Sequence, residues 1–434
     1  MSPRVDLSGL RERPFWWEAA PPEAAADVAL PARVDVAIVG AGYAGLAAAL
    51  TLARAGRSVL VLDAEAPGHG ASTRSGGMVG HGHRLSYAGL IDRFGRAKAQ
   101  ALIREGMASL DFTVSLIERE GIDARFLRTG RFRGAARPAD YESLAREADL
   151  LAKDLGMAVA VIPRAEQARE IASDRYHGGL LFLAHGGLHP ALFHRGLLAA
   201  ARHAGAVVAG HAPVLAVCRA DAGHEIHTPR GRLEAGEVLV TTNGYTGRRP
   251  VPALARRLVA LPSFVVATEP IGQNRVRALI PNGRMMVETA ASHLYFRPSP
   301  DGERIVLGGR AALHPIPLRQ AASRLGAHLV RVFPQLDGIR LDHVWTGNVA
   351  MTRSDLPAIG RDRDGCWYAL GCNGSGVALM PYLGHKAAQK ILGDPNGATA
   401  FDDIRAGSVP FLFARPLLQR TLSLVWQARE RLGG

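Results

Sequence analysis

VDVAIVGAGYAGLAAALTLARAGRSVLVLDAE, Val34 to Glu65, decides the fold. Val34–Val39 is an apolar, β-branched run of the kind that forms a buried strand. Gly40, Gly42 and Gly45 then spell G-x-G-x-x-G. The first glycine permits a tight turn, the second lets a pyrophosphate approach the backbone, and the third lets the helix pack close to the strand. Leu46–Ala55 is rich in helix formers and Gly56 stops it. Ser58–Leu62 predicts the next strand, and Asp63 ends it near the ~20-residue offset where a carboxylate meets a ribose hydroxyl. The glycines between two strands, closed by an acid, predict a βαβ unit that binds a dinucleotide.

Working outward, the chain has 434 residues, 47% of them hydrophobic, enough for two interwoven domains. The net charge of +13 comes from arginine: there are 48, against only Lys98, Lys153, Lys386 and Lys390. Apart from GRRPVPALARR (247–257) they are scattered, which argues against a dedicated nucleic-acid surface and leaves an attraction for acidic small molecules. Cys218, Cys366 and Cys372 show neither metal-ligand spacing nor a disulfide framework, so no metal site is expected. No stretch approaches ~20 clean apolar residues, and the first thirty lack a signal-peptide core; a cytoplasmic location is expected.

The lead over residues 1–33 carries Phe15, Trp16 and Trp17, expected to pack on the body. PGHGASTRSGGMVGHGHRL (67–85) is too rich in Gly and Ser for a regular element, and such a loop beside a dinucleotide fold usually carries function. Helical patterns run over 87–120, 138–155, 186–206 and 317–333. ARFLRTGRFRGA (124–135) is strand-like, and residues 258–310 read as antiparallel strands with a hairpin at Asp301-Gly302. CWYALGCNGSGVALMPYLGHKAAQKILG (366–393) reads as strand, glycine turn and helix. The basic tail beyond 400 is amphipathic, a candidate for packing on the body or for peripheral membrane contact.

That second glycine turn chooses the cofactor. Gly371, Gly374 and Gly376 fit a helix N-terminus aimed at negative charge. A nicotinamide needs no such site, whereas a reduced flavin carries a charge that backbone N–H groups and a helix dipole stabilise. With the 70–78 loop, three pieces far apart in sequence argue for FAD in an extended pose.

These segments carry a resemblance. VDVAIVGAGYAGLAAAL, GASTRSGG, VLVTTNGYTG, VVATEPI, YFRPSPDG with LGGR, and VWTGNVAMTRSDLPAIG followed by YALGCNGSGVAL are similar to the D-amino-acid-oxidase (DAO) family of FAD enzymes, within it to the gamma-glutamylputrescine oxidase and glycine-sarcosine oxidase branch. The resemblance implies an α/β fold: a Rossmann-type FAD-binding domain (30–120, 181–247 and 335–395) interwoven with an antiparallel-sheet substrate domain (121–180 and 248–334), then a tail over 396–434. It implies that Gly40, Gly42, Gly45 and Asp63 hold the ADP half and that Ser72, Thr73, Arg74, Gly77 and Met78 line the flavin. Val214 would meet the adenine by its backbone, and Gly371, Asn373, Gly374, Ser375, Gly376 and Val377 would cover the pyrimidine side. Asn348, Val349 and Ser75 stand near positions where some members attach FAD covalently, so FAD is expected to be non-covalent; His81 and His83 lie just beyond the loop.

The implied chemistry is hydride transfer from an amine-bearing carbon to flavin N5, followed by hydrolysis of the imine. Tyr295, Arg297, Arg310, Trp345 and Asn373 are the pocket candidates, an arginine pairing with an anionic group of the substrate. His81 is the acid/base candidate, with His185, His189, His293 and His314 in reserve. No lysine lies between Lys153 and Lys386, where some oxidases of the family use one to help oxygen react. Oxygen and an acceptor protein or quinone both stay open as partners. A tRNA-modifying flavoprotein and an FAD-retaining binding protein are the competing readings.

Overall fold

A computed structural model describes residues 3–23, 28–290, 293–404 and 407–408. The tail beyond 408, and with it the expected membrane contact, lies outside the described residues.

The quoted stretch folds as its pattern dictates. Strand Arg33–Val39 is followed by helix Tyr43–Arg54 and strand Val59–Leu62, the two strands pairing in parallel from Val36↔Val59 to Val39↔Leu62. The helix starts before Leu46 because Gly42, in extended conformation, serves as its N-cap. Parallel pairing extends the sheet to Val207–Ala209 on one side and to Gly231–Val240 and Trp367–Leu370 on the other. Ala216–Ala220, Gly223–Thr228 and Ala358–Arg361 join it antiparallel.

The second sheet runs in the order Leu341–Thr352, Leu258–Thr268, Ile305–Gly309, Tyr295–Pro298, Met285–Glu288, Arg131–Gly134, Gly179–Phe182 and Val159–Ile162. It is antiparallel except where Met285–Glu288 pairs in parallel with Arg131–Gly134. Gly302, at φ +74°, turns the expected hairpin between Tyr295–Pro298 and Ile305–Gly309. Helix Leu318–Val332 contributes Leu325 and Leu329 to the core of this sheet.

Sheet membership corrects the expected segmentation in two places. Leu341–Thr352, expected in the FAD-binding part, is the edge strand of the second sheet, paired with Leu258–Thr268 almost from end to end. Gly179–Phe182 straddles the boundary expected at 181 and also belongs to the second sheet. The long ribbon has a physical role: Leu258 and Ala350 sit in the core of the first sheet, while Val266 and Val344 sit in the core of the second. Two other expectations are refined. The helical run 87–120 is two helices, Tyr87–Phe94 and Arg96–Arg119, because Gly95 takes φ +80° between them. The helix expected from 186 begins at Pro190, since Gly186–Gly187 pairs with Met78–Val79 inside the glycine-rich loop.

Three indoles fasten that loop. The Trp16 N–H donates to Ser75 O at 2.8 Å, Trp17 to Thr73 Oγ1 at 2.9 Å and Trp345 to Arg74 O at 2.8 Å. The aromatic lead packs on the body as expected, but Trp345, 1% exposed, is a fastener and not the pocket wall it was expected to be. Trp345→Phe keeps an aromatic ring but removes part of the indole volume, and it leaves the half-buried Arg74 carbonyl without its donor. It should cost about 1–3 kcal/mol, read as a fall in thermal midpoint without loss of secondary structure.

Candidate active site

The first half of the site is the glycine loop. Gly40 takes φ +107°. A Cβ on Gly45 would lie 1.9 Å from Gly40 O, so only glycine lets the helix pack this close to the strand. Gly42 offers no side-chain cap to the helix it starts, and Ser72 Oγ accepts from Tyr43 N at 3.1 Å. Asp63 stands at the strand end, where its carboxylate accepts from Ala41 N at 2.7 Å and Glu65 N at 3.0 Å. Burial raises its carboxyl pKa against these two donors.

The second half is the turn before helix Gly376–Ile391. Gly371, Asn373 and Gly374 all take positive φ. Asn373 holds the turn with its own amide: Nδ2 donates to Gly371 O at 2.8 Å and Oδ1 accepts from Thr352 N at 3.0 Å. Asn243 Oδ1 accepts from Gly371 N at 2.9 Å. Ser375, the N-cap, donates its hydroxyl to Gly82 O and leaves the helix end uncapped by any side chain.

The two helices cross at Gly384, where a Cβ would lie 2.0 Å from Ala44 O. This close approach brings two helix N-termini, neither capped by its own N-cap side chain, to one cavity of about 470 Å³. The first-turn N–H groups and the positive ends of two dipoles fit the pyrophosphate and the pyrimidine edge of a flavin dinucleotide. Gly42, Ser72, Arg74 and Met78 line the cavity from the first half, and Asn373, Gly374, Ser375, Gly376 and Val377 from the second. Gly40, Gly45, Asp63 and Gly371 shape the turns behind them. Thr73 and Gly77 face away: Thr73 Oγ1 donates to Gly68 O at 2.5 Å, and Gly77 O accepts from Arg297. Val214 is buried in the core of the first sheet.

The opposite wall is the second sheet. His81, Tyr295, Arg310 and Asn373 reach the cavity; Arg297 and Trp345 do not. Arg297 is 6% exposed, and its guanidinium donates to Gly77 O at 2.8 Å, Leu188 O at 2.9 Å and Pro298 O at 3.1 Å. Three carbonyls satisfy it, so it locks the loop and does not bind substrate. Asn373 likewise spends its side chain on the turn, which corrects its expected catalytic role. Tyr295 OH lies 3.2 Å from Ser263 Oγ, and burial raises its pKa, keeping the phenol protonated.

His81 is corrected in its chemistry. It lines the cavity, but burial, with Arg131 adding repulsion, lowers its pKa to about 3, so at neutral pH the ring is uncharged and has no extra proton to donate. The reserve histidines divide. His293 faces the cavity and is lowered to about 4 by burial and by Arg310. His185 is fully buried, its Nε2 accepting from His81 N, and burial lowers its pKa strongly. His189 Nδ1 accepts from Leu192 N as a helix cap. His314 is partnered by Pro315 O away from the cavity.

These buried rings predict an acid-labile fold. His81, His185 and His189 bind protons in the unfolded chain below about pH 6.5 and stay neutral in the folded one to about pH 4 or lower. The unfolded state therefore holds more protons in that window, and their contribution to stability is complete above pH 6.5 and lost as pH falls. Together they should remove on the order of 4 kcal/mol per pH unit below about pH 6. Denaturant melts at pH 7.5, 6 and 5 check this.

Sequence reasoning passed over Arg131, Arg133 and Asn243, all of which line the cavity. The signal for the arginines was present in RFRG, where alternation puts Arg131 and Arg133 on one face and buries Phe132 on the other. Among the described residues no group of His, Cys, Asp and Glu could hold a metal, and no helix is long and apolar enough to cross a membrane.

Comparison with known proteins agrees with this geometry. The family model described as FAD dependent oxidoreductase (DAO) matches residues 35–390. The chain is 29% identical to the gamma-glutamylputrescine oxidoreductase of Escherichia coli, covering 92% of this chain and 93% of that protein. It is 28% identical to the probable oxidoreductase OrdL of Haemophilus influenzae, covering 86% of each. The fold matches the crystal structure of glycine oxidase from Geobacillus kaustophilus with a TM-score of 0.72 at 20% identity, over 88% of this chain and 100% of that one. It matches L-proline dehydrogenase from P. horikoshii at 0.69 and 19%, over 85% and 95%. A cavity under two helix ends, facing a second sheet, with a family match over four-fifths of the chain's length: the chain belongs to the DAO family of FAD-dependent oxidoreductases.

Proposed function

We propose that this enzyme oxidises the C–N bond of a small amine or amino acid that carries an anionic group, using non-covalently held FAD. The observation that carries the reading is Arg310. It lies on the sheet wall facing the two helix ends, and it makes no hydrogen bond or ion pair with any described residue. Burial, with Arg84 adding repulsion, lowers it to about 10, so it is charged at neutral pH. A half-buried guanidinium without a counter-ion is costly, and a substrate carboxylate would relieve it with two parallel hydrogen bonds.

FAD bound in this cradle supplies a two-electron acceptor for the hydride leaving the amine-bearing carbon. The protein's part is positioning and electrostatics. Arg310 orients the substrate. The lining carries Arg74, Arg84, Arg131, Arg133 and Arg310 but only Glu147 and Glu288, so its field disfavours an ammonium and favours the neutral amine. Neutral His81 adds no charge to this field, and the Tyr295–Ser263 pair can donate a hydrogen bond into the same space. The imine hydrolyses in water to a carbonyl compound and an amine.

The test is product analysis. Amine turnover should yield one trapped carbonyl per two electrons delivered, in air or to an artificial acceptor, and the faster of the two names the acceptor. Electron delivery with no carbonyl product would refute C–N oxidation.

A further inference from the structure

The cavity holds five arginines, and three of them are accounted for. Arg74 donates to His69 O and Thr346 O. Arg84 pairs with Asp355 at 2.9 Å, and Arg133 with Glu147 at 3.3 Å. Arg131 and Arg310 are left, neither with a hydrogen bond or ion pair to any described residue. The Arg131 guanidinium lies over the ring of Phe182, its cross-strand neighbour, at 5.3 Å. Glu147 lies near enough to act on Arg131, but its two oxygens are taken by Arg133 and by Tyr87 N. Beside Arg131 is His81, 6% exposed, whose Nδ1 has no partner and which lines the same cavity. Burial, with Arg133 adding repulsion, lowers Arg131 to about 10, which still leaves it charged.

Register separates the two free arginines. Arg133 aligns through Val287 and Tyr295 with Gly308. Arg131 lies two residues before that row and Arg310 two residues beyond it, on strands three places apart and running the same way. The spacings of a sheet put their backbones about 14 Å apart across the strands and about 13 Å along them. They stand at opposite corners of the wall and cannot form one bidentate clamp at a single carboxylate.

We infer that the substrate is an elongated amine with two separated anionic groups, one held by Arg310 and the other by Arg131, with Arg131 setting specificity for the distal one. The inference rests on the amine-oxidising reading for the word amine; the two-anion geometry rests on the arginines alone. Phe182 and neutral His81 complete the distal end: the Phe182 ring packs on the guanidinium, and the His81 tautomer with its proton on Nδ1 can donate a hydrogen bond to the anion. An amine with one carboxylate would leave Arg131 uncompensated and bind more weakly.

The test uses unreactive probes on the yellow holoenzyme: glutarate, adipate and suberate against butyrate, followed by flavin absorbance and by thermal midpoint. The best-matched dicarboxylate should bind at least about 30-fold tighter than butyrate. Arg131→Gln should bring that dicarboxylate to within about threefold of butyrate while leaving butyrate affinity unchanged. Arg131→Lys, which keeps the charge, should retain part of the preference. Equal binding of dicarboxylates and butyrate to the unmodified enzyme would overturn the inference without any variant, as would an undiminished preference in Arg131→Gln. These titrations need no turnover. A dicarboxylate preference in an enzyme that no amine reduces would refute the amine reading and uphold the two-anion site; reduction by mono-acidic amines with no preference would do the reverse.

Discussion

Gly384→Val should purify without bound flavin. A Cβ at 384 would lie 2.0 Å from Ala44 O and 2.7 Å from Ala44 C, backbone atoms that no rotamer change can move aside. The helices Tyr43–Arg54 and Gly376–Ile391 would have to separate, and their N-termini would no longer converge on one cavity. Overpacking of this kind costs about 1–3 kcal/mol in stability. The larger effect falls on the cofactor, because each helix end can then engage its own part of the dinucleotide only in a different pose. FAD affinity should fall by at least roughly 100-fold, with far-ultraviolet dichroism retained. Gly384→Ala should lie between. A Gly384→Val protein with the flavin content and affinity of the parent would show that the crossing does not position the site.

Arg310→Gln is expected to remove most of the substrate binding and little of the fold. Losing one partner of a buried ion pair costs about 3–4 kcal/mol, so kcat/KM should drop roughly 10²–10³-fold. A carboxylate held before and during the reaction contributes uniform binding, so the loss should appear mainly in KM, with the limiting rate of flavin reduction changed much less. The free enzyme gives a second reading. Arg310 has no partner there, so its replacement should leave the thermal midpoint unchanged or raise it. A fall in midpoint together with an unchanged KM would mean that Arg310 is structural.

What was legible in the sequence follows from how local each constraint is. Gly40, Gly42 and Gly45 serve a turn and the helix beside it, so spacing alone reveals them. Gly384 serves a contact with Ala44, 340 residues away in the chain, and nothing in GHKAAQ marks it. Arg297 and Arg310 looked alike as residue types. They differ because Gly77 O and Leu188 O meet the first, while no described residue hydrogen-bonds or ion-pairs with the second, and only the folded chain decides that. Trp345 was misread for the same reason: its acceptor, Arg74 O, comes from the other domain. His81 was found in the right place with the wrong acidity, because its pKa is set by burial among Phe182, His185 and Arg131. Arg131 is the instructive omission. Its face was readable in the alternation of RFRG, but its lack of a partner was not.

The central claim is that amines bound against the second sheet deliver electrons to FAD lying under the two helix ends. The direct measurement is anaerobic addition of γ-glutamyl amines, N-methyl amino acids, D-amino acids, aminophosphonates and diacidic amines to the purified yellow protein, followed by admission of air. The account predicts that one anionic class bleaches the flavin rapidly at substoichiometric enzyme, and that colour returns on reoxidation by air or an added acceptor. A flavin that stays oxidised with every member of the panel would contradict it.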